Sequence, residues 1–207
     1  MNLTKHQIVP FNNYIREVYA KSQIYLHHTA GGSSGKQVFD IWQMDNTPVA
    51  TCVSISADGT IVQGYGSQFW AYHLGLRTKH FKNLPYKQLD KTSIGIEICN
   101  YGYLVEKQGE YYNYVGGKVT NVCTLDRPYK GYTHWQNYTD EQIFSVRELL
   151  LLWNERYGID LTYHEDIWQV TDRALKGERG VFTHNSVRAD KADVYPHPKL
   201  ITMLQNL

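Results

Sequence analysis

The stretch "GVFTHNSVRADKADVYP", residues 180–196, places His184, Lys191 and Asp193 within ten positions. Imidazole nitrogen and carboxylate oxygen are both zinc donors, and a hydrolytic zinc takes three protein ligands and keeps a fourth position open. His184 and Asp193 would supply two, and a histidine from a distant strand end would supply the third. Lys191 precedes Asp193 by two residues and shares its face in an extended segment. Its ammonium could reach an oxygen developing negative charge. Gly180 and Pro196 bracket a stretch with little to pack into a core, and taken alone it reads as a solvated mixed-charge turn. The paired-histidine helix of thermolysin-like zinc sites is absent.

Two other segments carry groups of the same kind. "IYLHHTAGG" is strand-like and runs into a Gly-rich turn, where another group can approach the backbone closely. His27 and His28 point to opposite faces at its end, and alternation does not choose which one faces a site. In "TSIGIEIC", Ile94, Ile96 and Ile98 share one face, while Ser93, Gly95, Glu97 and Cys99 share the other. A mid-strand carboxylate needs water or a partner. Glu97 therefore sits either on an edge strand facing solvent or, as its small neighbours favour, in a cleft.

The elements that must position these groups are legible in part. "GKQVFDIWQMDN" has helical spacing at Val38, Ile41, Trp42 and Met44. "VATCVSISADGTIVQG" predicts two strands joined through Asp58-Gly59. "YTDEQIFSVRELLLLWNERYGI" predicts a long helix, capped by Thr139 with Gln142 as a capping box and ended by Gly158. Its stripe of Ile143, Val146, Leu150, Trp153 and Tyr157 is core. Residues 100–138 are rich in Tyr, Gly, Asn and Lys without clear periodicity and read as an extended loop or an added hairpin. Strands and helices alternate, which predicts a single α/β domain over 1–207 with a central mixed sheet flanked by helices.

Composition narrows the function. The chain has 207 residues and a formal charge of +1, so there is no bulk electrostatic case for nucleic acid or an anionic membrane. No apolar run is long enough to cross a bilayer. The N-terminus lacks the pattern of a secretory signal, so synthesis in a cytoplasm is expected. Three widely spaced cysteines, Cys52, Cys99 and Cys123, argue against a disulfide framework. Tyrosine is abundant, with 17 residues; such a surface suits stacking on sugars or peptides and equally suits loop packing.

Together these segments resemble the zinc-dependent N-acetylmuramoyl-L-alanine amidases of type 2. That family includes phage lysozyme-like amidases, bacterial cell-wall amidases and animal peptidoglycan recognition proteins. The matching stretches stand in family order: "IYLHHTAG", "SISADGTIVQ", "WAYHLG", "SIGIEICN", "YTDEQ…LLLLWNERYGI" and "GVFTHNSV…KAD". The resemblance implies Zn2+ held by His27, His184 and Asp193. It also implies Glu97 as the general base and Lys191 as the oxyanion's partner. His73 would line the substrate groove, and His28 would support the metal site or face substrate. The implied substrate is peptidoglycan or a muropeptide, cut between N-acetylmuramic acid and L-alanine. A phage or prophage endolysin is the preferred role. A cytoplasmic muropeptide-recycling amidase, a non-catalytic peptidoglycan-binding module and a zinc peptidase acting within the stem peptide are the alternatives. Two departures stand out. Val194 and Tyr195 replace the family's Pro-Gly after the aspartate, so the turn there differs. The tyrosine that some members carry before the "DGT" turn is missing, since Ala50, Thr51 and Cys52 occupy those positions, which leaves the base role to Glu97.

Overall fold

The computed structural model describes residues 3–77 and 89–207. Its first half contains β1 (His6–Ile8), β2 (Gln23–His28), helix α1 (Gly35–Gln43), β3 (Val53–Ile55), β4 (Ile61–Gln63), the short α2 (Leu89–Thr92) and β5 (Ser93–Ile98). Next come β6 (Val105–Lys107), β7 (Glu110–Tyr112), β8 (Lys118–Val119), β9 (Val122–Tyr129) and β10 (Tyr132–Gln136). Helix α3 (Asp140–Tyr157), the short α4 (Asp172–Leu175), β11 (Gly180–Thr183) and α5 (Pro198–Gln205) follow.

The main sheet has the order β1-β4-β3-β5-β2-β11. Strands β3, β5, β2 and β11 run parallel, and β4 is antiparallel to β3, so the sheet is mixed as expected. All residues of β2 and β5 are buried, as parallel strands covered on both faces require. Glu97 therefore does not face water from an edge strand, because β5 is central. Helix α1 packs on β3 and β4, and α3 packs on β3 and α5. Thr139 Oγ1 accepts from the Gln142 N–H at 3.0 Å and Gln142 Oε1 accepts from the Thr139 N–H at 3.1 Å, closing the capping box. Gly158, in the left-handed conformation at φ 63°, ends the helix. Ile143, Val146, Leu150 and Trp153 are buried on its inner face.

Two expectations need correction. Residues 100–138 are neither a plain loop nor one hairpin: β6, β7 and β8 form one small sheet and β9 and β10 another. Two of their turns are two-residue connections with positive φ at both positions, Gln108-Gly109 and Lys130-Gly131. That geometry matches the right-handed twist of the strands it joins. The second correction concerns residues 180–196. All of β11 is buried, as are Val187, Val194 and Tyr195, so this stretch contributes to the core. The free side of β11 is covered by the turn Glu165–Trp168, where the Thr183 hydroxyl donates to the Ile167 carbonyl at 2.7 Å.

Candidate active site

The parallel strands β11, β2 and β5 bring His184, His27 and Glu97 to one end of the sheet. His184 begins a short 3-10 turn directly after β11, and Thr183 and Ser186 close a capping box around it. His27 and Glu97 are register partners on adjacent strands, so their side chains share a face. Asp193 reaches them from the loop after the His184 turn. Its Oδ2 lies 2.9 Å from His184 Nδ1 and 3.2 Å from His27 Nδ1, and the two Nδ1 atoms are 3.0 Å apart.

The protons on both imidazoles follow from what their other nitrogens meet. His184 Nε2 faces the Leu74 carbonyl at 3.0 Å and must donate. For His27 the chain is longer. The Ser93 hydroxyl donates to the Leu89 carbonyl, so its oxygen accepts from His73 Nε2 at 2.8 Å. That leaves His73 Nδ1 as an acceptor for the His27 Nε2–H at 3.0 Å. Both Nδ1 atoms are thus unprotonated and converge with a carboxylate oxygen. Three lone pairs this close repel one another unless a cation joins them. Zinc bonds of about 2.0–2.2 Å place the corners of a tetrahedral site roughly 3.3–3.6 Å apart, within a few tenths of an ångström of this triangle. Among the described residues this trio forms a cluster tight enough to share an ion. Donor set and geometry both fit zinc.

One segment orients both histidines. His73 serves His27, and the carbonyl of its neighbour Leu74 serves His184. Asp90 Oδ1 accepts from the backbone N–H groups of His73 at 2.8 Å and Leu74 at 2.9 Å, fixing the pair. Gly95 makes room for it: a Cβ there would lie 2.6 Å from Thr51 Cγ2 and 3.1 Å from His73 Nδ1. The small face of β5 is therefore built for the site. Ser93 anchors His73, Gly95 gives it space, and Glu97 stands beside His27.

Electrostatics follow from burial. Desolvation pushes the Glu97 carboxyl well above its ordinary range; the Asp193 charge adds to this and Lys191 opposes it. Burial, reinforced by His184, lowers His27 to about 4, and the neighbouring Asp193 carboxylate opposes the shift. Burial also pushes the Asp193 carboxyl up, but the two imidazoles beside it outweigh this and hold the group well below the usual carboxylate range.

Every residue singled out in the sequence borders one cleft of about 640 Å³: His27, His28, His73, Glu97, His184, Lys191 and Asp193. That volume suits a drug-sized ligand. His28 lies on the wall, with Nδ1 on the Tyr138 hydroxyl at 3.0 Å and Nε2 against Gly102. The far walls are α1, with Ile41 and Trp42, and the tyrosines Tyr101, Tyr103 and Tyr114. Sequence reasoning missed Asp90, Tyr138 and the positioning task of Ser93. An acidic residue shortly before a buried strand was the available signal for Asp90.

An imidazole–imidazole–carboxylate trio beside a carboxyl of raised proton affinity is a donor set that could hold a metal ion next to an acid–base group. Residues 19–198 match the family described as N-acetylmuramoyl-L-alanine amidase, and the chain belongs to that family. Its activity is that of an N-acetylmuramoyl-L-alanine amidase, acting on peptidoglycan or muropeptides. Solved structures share the fold at low identity. PlyL matches at 15% identity and TM-score 0.55, over 99% of this chain and 98% of its own. AmpD matches at 16% and 0.56, over 98% and 95%. The endolysin amidase LysCS from Clostridium intestinale matches at 14% and 0.52, over 100% and 98%. No curated protein matches the sequence.

Proposed function

We propose that this amidase is zinc-dependent, with His27, His184 and Asp193 as ligands, Glu97 as general base and acid, and Lys191 as the cation facing the oxyanion. The observation that carries this reading is the convergence of two unprotonated Nδ1 atoms and one carboxylate oxygen next to Glu97. When bound, zinc supplies a Lewis acid for the scissile carbonyl and makes a water more acidic. Glu97 takes a proton as water adds to the lactyl carbonyl of N-acetylmuramic acid. Burial gives that carboxyl the proton affinity to hold it until the L-alanine nitrogen leaves, when Glu97 returns it. The Lys191 ammonium meets the carbonyl oxygen as negative charge develops. His73 and His28 border the substrate, and His73 also orients His27. The cysteines take no part: burial pushes the Cys52 and Cys99 thiols up to about 12, far from a working thiolate.

The biological role we read is wall lysis by a phage or prophage enzyme. The resemblance to phage lysozyme-like amidases supports it, and the fold shared with the endolysin LysCS is consistent with it. Recycling of soluble muropeptides is the competing role. The test is metal removal followed by paired substrates. Chelation should abolish release of stem peptides and zinc should restore it. Full activity in excess chelator contradicts the zinc reading. Intact sacculi cut at least as fast as soluble muropeptides support lysis, and cleavage of muropeptides alone assigns recycling.

A further inference from the structure

Asp193 and Lys191 sit on a loop, without a strand to fix them. Two residues beyond Asp193, Tyr195 is fully buried. Its ring stacks on Trp135 at 4.7 Å and 19° and on Tyr138 at 4.9 Å and 19°. Its hydroxyl donates to the Gln136 carbonyl at 2.9 Å. Trp135 and Gln136 belong to β10, and Trp135 is itself fully buried. At the other end of the loop, the Lys130 ammonium in the β9–β10 turn donates to the Ala189 carbonyl at 2.8 Å. The tyrosine-rich segment therefore grips the loop on both sides of Lys191 and Asp193. Tyr195 is also where this sequence departs from the Pro-Gly that the family resemblance leads one to expect.

We propose that Tyr195 is a positioning residue, and that β9 and β10 serve as the anchor holding Asp193 in reach of His27 and His184. This rests on the reading of that trio as the zinc site. A turn made rigid by Pro-Gly fixes a ligand through its own backbone. Here the same task falls to an aromatic stack contributed from about 60 residues away in the chain. The part of the protein least regular in sequence thereby becomes a component of the metal site.

The test measures zinc affinity by chelator competition in Tyr195→Ala, Tyr195→Phe and Lys130→Ala, beside His184→Ala and Leu150→Ala. Tyr195→Ala should weaken zinc by roughly 10–100-fold, the range for partners that orient a ligand. Tyr195→Phe keeps the stack and should stay within about threefold of wild type. Lys130→Ala breaks an exposed contact without threatening the core, so it reports even if Tyr195→Ala does not fold. It should weaken zinc by a few-fold and raise backbone amide exchange across 188–194. Leu150→Ala lowers stability in α3 and should leave zinc affinity unchanged. The proposal is overturned if Tyr195→Ala folds and binds zinc as wild type, or if Lys130→Ala changes neither affinity nor exchange. If His184→Ala keeps its zinc, the ligand reading itself is wrong. If only His184→Ala loses zinc, the ligand reading stands and the anchor alone fails.

Discussion

The two halves of the proposed zinc site are held by different means. His27 and His184 stand at the ends of paired parallel strands, and the hydrogen bonds they donate to His73 and to the Leu74 carbonyl fix their tautomers. Asp193 stands on a loop whose neighbours are pinned by aromatic packing from β10. The first half is set by sheet register, which a one-residue slip would destroy across the whole strand. The second half is set by a stack that tolerates change in the loop sequence provided the rings still meet. On this reading the residues that follow Asp193 can change while the carboxylate stays in place, whereas His27 and His184 depend on strand register.

Mutations in the two halves should differ in size. His184→Ala removes a ligand from the rigid half and should reduce zinc affinity by well over the roughly hundredfold typical of an outer partner. Metal content after dialysis checks this, and stoichiometric zinc in the variant would remove His184 from the set. His73→Ala frees the His27 ring without removing a ligand, so a loss of about 10–100-fold is expected. Asp90→Ala should follow the same direction by a longer route, since it leaves two backbone N–H groups without their acceptor. Zinc affinity in either variant equal to wild type would show that the sheet alone orients the histidines.

Acid should strain the histidine half first. His27 and His28 are lowered to about 4 by burial, and His197 likewise to about 4. The unfolded chain takes up those protons near pH 6.5, so stability falls as pH drops from about 6.5 toward 4. Glu97 and Asp90 act the other way, because burial raises both and the folded state holds their protons better. The histidines, His73 among them, outnumber the two acids. A melting temperature of metal-free protein that declines over this window is expected. A flat or rising curve toward pH 4 would mean that the acids dominate. The smallest effect expected is on Gly95→Ala, where the added methyl crowds Thr51 and His73. A loss of about 1–3 kcal/mol by denaturant titration is the ordinary cost of overpacking.

The sequence announced what is locally encoded. Thr139, Gln142 and Gly158 mark the ends of α3 because capping depends on residues three or four apart. Ser93, Gly95 and Glu97 exposed the site face of β5 because alternation is a property of one strand. Residue chemistry offered His184, Asp193 and a strand-end histidine as donors, but the choice of His27 over His28 came from the family motifs, since His27 and Asp193 meet 166 residues apart in the chain. The strands of 105–136 were legible at most as one added hairpin because Gln108-Gly109 and Lys130-Gly131 are weaker turn signals than Asn-Gly or Asp-Gly. The burial of Tyr195 was invisible for another reason. It depends on Trp135 and Tyr138, which nothing near residue 195 reveals.

The most direct test of the account is digestion of purified peptidoglycan by zinc-loaded enzyme, with products read by mass spectrometry beside the Glu97→Gln variant. The account predicts stem peptides with a free L-alanine amine from the wild type. The variant should retain zinc and release them about two to four orders of magnitude more slowly. Near-wild-type release by Glu97→Gln would contradict the assignment of Glu97 as the acid–base group. Intact muramyl–alanine bonds in the wild-type digest would contradict the hydrolytic role of the site itself.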